Sequence, residues 1–306
     1  MASTQRRSTL HDPHTQPSAT PEFLGVPCRA ANPAFRILPV PFERTTSYGT
    51  GTADGPRAIL EASRYVELYD ETLEAEPYLA GIETLPPVHS DAADLEQALA
   101  GIQHAAEAAF SGEAFVVALG GEHSITPPLV AAAQQRFGEL GVVQFDAHAD
   151  LRPEYEGTPH SHACAMARVL DLGLPTVQFG IRSISVEEAE LARNSNLAIL
   201  WAHQTLPTPD RGRAALEAAL AHLPERVYIT FDLDYLDPSI LPSTGTPEPG
   251  GDDWYGTLAL LQSVFRSKTV VGMDVVELAP VAGSPAPDFL TAKLVYRCLG
   301  LKSRYG

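Results

Sequence analysis

Gly141-Val142-Val143-Gln144-Phe145-Asp146-Ala147-His148-Ala149-Asp150 is the stretch on which the fold turns. Its first half is a short, nearly continuous apolar run. Such runs form strands buried on both faces, and those strands belong to parallel sheets covered by helices. Its second half follows the strand directly and alternates ligand-type side chains with alanine. Extended backbone alternates faces with a period of two, so Asp146, His148 and Asp150 are expected to point the same way. In open α/β sheets ligands gather beyond the carboxyl ends of the strands, which is where these three residues lie.

The same arrangement recurs outward along the chain. Ala114–Leu119 reads as a buried strand and runs into Gly120-Gly121-Glu122-His123-Ser124. Arg226–Phe231 runs into Asp232-Leu233-Asp234, and Thr269–Val275 is followed closely by Glu277. Phe35–Leu38, Thr176–Ile181 and Leu197–Trp201 read as further strands. Helical patterns lie between them at Pro56–Asp70, Ser90–Phe110, Pro127–Phe137, Val186–Arg193, Arg213–His222, Trp254–Phe265 and Pro287–Leu299. In Ser90–Phe110, Ser90 is the expected cap, and Leu95, Leu99, Ile102 and Ala106 make one apolar face. Strand–helix alternation of this kind predicts one α/β domain with a mostly parallel sheet. Pro238–Gly251 is a long segment without periodicity, and loops of that length are usually functional. Residues 1–20, rich in Ser, Thr, Pro and His, are expected to be a mobile N-terminal tail, with His11 and His14 a flexible surface pair.

The 306 residues are 44% hydrophobic and 19% charged, a composition that suits a packed domain. No apolar run approaches the ~18–20 residues needed to span a bilayer. Met1–Thr20 carries Arg6 and Arg7 but no apolar segment of the kind a secretory signal needs. Three widely spaced cysteines fit a reducing compartment, so a cytoplasmic protein is expected. A net charge of −17, from 38 acidic and 21 basic residues, repels nucleic acid and attracts small cations.

One Asp-x-Asp is weak, because Asp often ends a strand as a turn former. Five ligand-type residues from two strand ends, with His123 on a third, are a much stronger signal. Four carboxylates converging on one cleft repel one another unless cations lie between them. Two divalent ions balance Asp146, Asp150, Asp232 and Asp234, with His123 and His148 as neutral ligands. Six groups are too many for one zinc, and the oxygen-rich set suits Mn²⁺. Two such ions about 3.5–4 Å apart can hold a hydroxide at neutral pH, which points to metal-assisted hydrolysis.

These motifs, with Ser161-His162, Phe231-Asp232-Leu233-Asp234-Tyr235-Leu236-Asp237-Pro238 and Thr244-Gly245-Thr246-Pro247-Glu248-Pro249-Gly250-Gly251, resemble the ureohydrolase family of arginase and agmatinase. The likeness runs from about Pro39 to Gly300 in the family's order. It implies a single-domain three-layer αβα sandwich over residues 21–306, arginase-like, with two Mn²⁺ per chain at the carboxyl ends of the strands. It puts His123 and Asp150 on one metal and His148 and Asp234 on the other, with Asp146 and Asp232 bridging. It further implies that Asp150 orients the hydroxide, Glu277 grips the guanidinium and His162 shuttles protons. The reaction implied is attack of hydroxide on the guanidinium carbon and collapse to urea and an amine. A homo-oligomer, a trimer or hexamer, is also implied.

The loop Leu151–Ser161 is expected to meet the substrate tail through Glu154, Tyr155 and Glu156, and Thr246 is a further expected substrate-binding residue. Two carboxylates and an aromatic face favour an ammonium tail over a carboxylate. The stretch Pro39–Tyr48 and Pro247-Glu248-Pro249 resemble the agmatinase branch, so agmatine, giving putrescine and urea, is the expected small cationic guanidino substrate. N1-aminopropylagmatine, guanidinobutyrate and arginine are the alternatives. The chain departs from the family's usual pattern at Ala163 and at Asp252-Asp253. His160 competes with His162 as the shuttle, and the motif favours His162. Cys164 reads as a small buried hydrophobe, and Asp237 and Asp274 as turn and packing residues. Single-zinc deacetylases share the fold family without needing six ligands, and a non-catalytic metal-binding protein would lose Glu277 or His162.

Overall fold

Eight strands, β1 (Phe35–Val40), β2 (Ile82–Thr84), β3 (Phe115–Gly120), β4 (Gly141–Phe145), β5 (Thr176–Ile181), β6 (Ala198–Trp201), β7 (Arg226–Asp232) and β8 (Thr269–Val276), pair in the order β2-β1-β3-β8-β7-β4-β5-β6. Every pairing is parallel. The structure is a computed structural model describing residues 20–90 and 92–306. The sequence-based tail, with His11 and His14, lies outside the described residues except for Thr20.

The strands are apolar on both sides because both sides are covered. In β3, Phe115, Val117 and Leu119 pack into one core while Val116 and Ala118 pack into the other. The helices are α1 (Gly55–Ser63), α2 (Leu95–Ala109), α3 (Thr126–Phe137), α4 (Ala165–Asp171), α5 (Val186–Asn194), α6 (Ala202–Thr205), α7 (Pro209–Leu220), α8 (Trp254–Ser267) and α9 (Ala286–Tyr305). Ile59 and Leu60 of α1, Leu216 of α7, Leu261 of α8 and Leu294 of α9 fill the first core. Leu99 and Ile102 of α2, Leu129 and Val130 of α3, and Met166 of α4 fill the second. Each fully buried aliphatic side chain contributes roughly 1.5–3 kcal/mol. The result is a three-layer αβα sandwich.

Chain order explains where the site forms. The chain lays down β1, β2 and β3, jumps to β4, continues outward through β5 and β6, and then returns to insert β7 and β8 between β4 and β3. The four central strands β3, β8, β7 and β4 therefore end side by side, although their carboxyl ends come from distant parts of the sequence. A reversal of strand order opens a crevice at those ends.

Several boundaries differ from the sequence reading. Helix α2 begins at Leu95 rather than Ser90, because Asp94 caps it, accepting the Gln97 N–H at 2.9 Å. The Ser90 carbonyl instead accepts from the Arg44 guanidinium at 3.1 Å. Helix α1 stops at Ser63 rather than Asp70: the Ser63 hydroxyl donates to the Leu60 carbonyl and accepts the Leu24 N–H at 2.8 Å. Asp70 is drawn away into a buried ion pair with Arg297 at 2.8 Å. Helix α7 starts earlier than Arg213, at Pro209, whose ring suits a first helical turn. Strand β2, only three residues long, and the short α4 carried no periodic signal.

Candidate metal centre

His123 opens a single 3-10 turn directly after β3, and its ring is 1% exposed. Around its Nδ1 lie carboxylate oxygens of Asp150 at 2.9 Å, Asp146 at 3.2 Å and Asp232 at 3.3 Å. Beside this group, His148 Nδ1 lies 2.8 Å from Asp234 Oδ2 and 3.7 Å from Asp146 Oδ1. Asp146 thus turns one oxygen to each histidine and joins the two groups. All six side chains come together, and the described residues hold two overlapping sets able to bind a metal ion, His123-Asp146-Asp232 and Asp146-His148-Asp234. Simple alternation does not account for Asp150. Its backbone is left-handed, with φ 52°, and that kink rather than an extended continuation brings its carboxylate to His123.

The hydrogen bonds around His123 suit the cluster to cations. Thr230 Oγ1 donates its single hydrogen to Asp274 Oδ1 at 2.7 Å, so at 2.9 Å from His123 Nε2 it acts as acceptor. The His123 proton is therefore on Nε2. Buried Nδ1 has no hydrogen-bond partner although three carboxylates surround it. A proton at Nδ1 could point at only one of those oxygens, whereas a cation between them satisfies all.

The ionisation behaviour of the chain's own groups agrees. Burial, then the Asp234 and Asp150 charges, push Asp146 up to about 7. Burial and the neighbouring Asp234 and Asp146 raise Asp232 well above its ordinary value. Burial opposes charge on His148, yet Asp234 and Asp146 push it up to about 11. Burial is likewise overcome at Asp234, which the His148 charge holds down at about 2. The site is short of positive charge.

A ring of polar groups fixes these ligands. Gln144 donates to Asp146 Oδ2 at 2.7 Å, and Asp232 Oδ1 accepts the Asp234 N–H at 2.9 Å. Asp274 takes hydroxyl hydrogens from Thr230 and Thr126, so it backs His123 rather than merely packing, a correction to the sequence reading. Arg182, just past β5, donates to the carbonyls of Asp234, Glu248 and Pro249 and so ties a ligand's backbone to the Pro238–Gly251 loop. Asp237 closes that loop by accepting from the Gly250 N–H at 2.9 Å and the Gly251 N–H at 3.2 Å. The departures at Asp252-Asp253 have structural work: Asp252 accepts from the Tyr235 hydroxyl at 2.8 Å, and Asp253 caps α8. Thr230, sharing a strand face with Asp232, and Asp274, a carboxylate inside an apolar strand, were the available sequence signals for this second ring.

Glu277 stands just beyond β8, 7% exposed, at φ 67°. Its Oε1 accepts the His123 N–H at 2.6 Å, and its own N–H donates to Gly121 at 2.8 Å. Oε2 faces Gly245, where a Cβ would sit 3.8 Å from it. Burial, reinforced by the Glu122 charge, pushes the Glu277 carboxyl up to about 8, so a bound cation would draw it into the ionised form. Thr246, next to Gly245, is half-buried.

His162 begins the 3-10 turn His162–Cys164 and is held by Thr45: the His162 N–H donates to Thr45 Oγ1 at 2.9 Å. His160 turns outward, with Nε2 3.5 Å from Glu96 Oε1 on α2. Tyr155 meets the His162 ring edge-on, with centroids 6.3 Å apart. Its face is covered by the Arg152 guanidinium at 4.9 Å, so the aromatic face expected for the substrate tail is already engaged within the chain. Glu156 is exposed at the tip of a two-residue hairpin closed by Tyr155 and Thr158, Glu154 is exposed just before that hairpin, and neither contacts the six clustered side chains. Glu248, missed as a site residue, is nearer: Oε1 lies 3.9 Å from His148 Nε2. Burial and the Asp150 charge raise the Cys164 thiol to about 11, which makes it inert.

The family model described as the arginase family matches residues 33–300. The chain belongs to the arginase family. It is 42% identical over 301 residues to the N(1)-aminopropylagmatine ureohydrolase of Synechocystis, covering 95% of this chain and 97% of that protein. It is 33% identical over 273 residues to the agmatinase of Pyrococcus horikoshii, covering 88% and 92%. Among solved structures, the agmatine ureohydrolase of Thermoplasma volcanium superposes with a TM-score of 0.80 at 28% identity, covering 90% and 91%. This ureohydrolase is thus a hydrolase of guanidino C–N bonds. None of its described helices is long and apolar enough to cross a membrane.

Proposed function

We propose that this chain hydrolyses N1-aminopropylagmatine to urea and spermidine, rather than agmatine as first expected. The observation that carries this reading is the 42% identity, over 95% of the chain, to a relative named for that activity, against 33% for a relative named agmatinase. The longer tail adds an amine, protonated at neutral pH, and the mouth of the cleft carries Glu248 near His148 with Glu154 and Glu156 on an outer loop. An α-carboxylate, as in arginine, would meet these acids without a partner.

In this reading His123, Asp146, Asp150, Asp232, His148 and Asp234 hold two Mn²⁺. When bound, such a pair supplies activated water at neutral pH and positive charge against the reacting centre. Glu277 does what cations cannot: it attracts the planar guanidinium and accepts its hydrogens through Oε2 and the remaining lone pair of Oε1. Water adds to the guanidinium carbon, the C–N bond to the polyamine breaks, and His162 passes a proton to the departing amine nitrogen. The remaining carbon leaves as urea.

Urea release with Mn²⁺ on aminopropylagmatine, agmatine, guanidinobutyrate and arginine tests the reading. Aminopropylagmatine should exceed agmatine in kcat/KM by at least ~10-fold, equivalent to about 1.4 kcal/mol of transition-state binding. Equal or faster turnover of agmatine would overturn it.

A further inference from the structure

His162 makes a set of contacts that its position in the motif does not explain. Thr45 Oγ1 lies 3.3 Å from its Nδ1, Ser161 Oγ lies 3.4 Å from the same nitrogen, and Ser47 Oγ lies 3.4 Å from Nε2. Behind Thr45 sits Glu122, fully buried between β3 and His123. Glu122 Oε2 accepts the backbone N–H groups of Arg44 and Thr45, both at 2.7 Å. Its Oε1 accepts the hydroxyls of Ser124 and, at 2.7 Å, Thr45. One buried carboxylate thereby holds the Arg44–Ser47 segment against the metal-site turn.

A threonine hydroxyl has one hydrogen and two lone pairs. Thr45 gives its hydrogen to Glu122, so everything else it bonds must donate. The His162 backbone N–H does so at 2.9 Å. A hydrogen on the ring nitrogen 3.3 Å away completes this pattern: a bare Nδ1 would set lone pair against lone pair at Thr45, whereas Nδ1–H points to Thr45 and leaves Ser161 Oγ, at 3.4 Å, able to accept as well. Nε2 is then the nitrogen without a proton in the neutral ring. Ser47, whose hydrogen is not committed elsewhere in the described contacts, can donate to it.

We propose that Thr45, backed by Glu122, is a positioning residue that holds neutral His162 as the Nδ1–H tautomer and leaves Nε2 as its proton-transfer atom. Nε2 takes the proton released by the water that adds to the guanidinium carbon, giving the imidazolium, and returns it to the departing amine as the C–N bond breaks, so no net proton is gained or lost. The inference rests on the proposed shuttle role of His162, but the tautomer itself does not depend on the substrate. Thr45 belongs to the Pro39–Tyr48 stretch that marks the agmatinase-like branch, which gives that stretch a chemical task besides shaping the cleft.

The test begins with the unmutated full chain loaded with diamagnetic Mg²⁺. Long-range proton–nitrogen correlation spectra of its imidazoles, with His162 assigned by the signals lost in His162→Gln, should show a protonated Nδ1 and an unprotonated Nε2. Finding Nε2–H as the main neutral form would overturn the proposal without touching the substrate assignment. Thr45→Val keeps the shape but removes the acceptor. It should mix the tautomers and lower kcat by roughly 10- to 100-fold, part of the ~10²–10⁴ that a positioned proton-transfer group supplies. KM and bound Mn²⁺ should stay within about 2-fold, and Thr45→Ser should restore both spectrum and rate. A Thr45→Val protein that keeps the wild-type kcat, or that loses activity only by losing metal, would contradict the positioning role. Unaltered tautomers with no activity on any guanidino compound would instead refute the function and leave the geometry standing.

Discussion

Glu277 occupies a left-handed backbone conformation, φ 67°, that costs a non-glycine residue about 1–3 kcal/mol and survives only where surroundings impose it. Bonds at both its N–H and its Oε1 impose it here, and both lead to the turn carrying His123. Its carboxylate is consequently aimed, not merely nearby. Glu277→Gln preserves the size but removes the charge. Breaking one side of a buried charged pair costs about 2–5 kcal/mol, so kcat/KM should fall roughly 30- to 5,000-fold. Elemental analysis should find the metal content unchanged, since Glu277 is not among the clustered ligands; metal loss, or near-normal kcat/KM, would remove it from the role of guanidinium clamp. The six clustered residues were legible in the sequence because ligand-type side chains gathered just past strand ends are a local pattern, although the kink that turns Asp150 inward was not part of it. The residues that orient them were not. Thr230 reaches His123 across 107 positions and Thr45 reaches His162 across 117, distances over which a sequence carries no spacing signal.

Turns and strand ends decide whether the cluster forms. Gly121 must be glycine for a steric reason: a Cβ there would lie 1.9 Å from the Phe42 carbonyl oxygen. That oxygen also accepts the Glu122 N–H at 2.9 Å, so the closeness is part of how the first loop locks onto the His123 turn. Gly121→Ala should destabilise the fold by roughly 2–4 kcal/mol through overpacking and the lost hydrogen bond, and weaken Mn²⁺ binding with it. Unchanged melting temperature and metal affinity would show that the loop adjusts freely. Strands β4 and β5 match their sequence boundaries because uninterrupted apolar runs have abrupt edges. Helices α1 and α2 miss by several residues because Ser63 and Asp94 are chosen by tertiary contact and cap geometry, not by apolar periodicity.

At the scale of the whole molecule, the strand order sets β3, β8, β7 and β4 side by side at the middle of the sheet, so their ends pool carboxylates that no single element could hold together. Two cores, one on each face, fix those strands from both sides. The net charge of −17 extends the same bias outward, drawing a cationic substrate towards a cleft that is itself short of positive charge. Layered architecture and strand alternation were legible in the sequence, but the jump from β3 to β4 and the later return of β7 and β8 were not. The central claim is that the pooled carboxylates serve two cations together. Mn²⁺ titration into chelator-treated protein, with urea release and bound metal measured at each step, tests it most directly. Activity should rise to a break at two Mn²⁺ per chain, and full activity with a single bound ion would contradict the account.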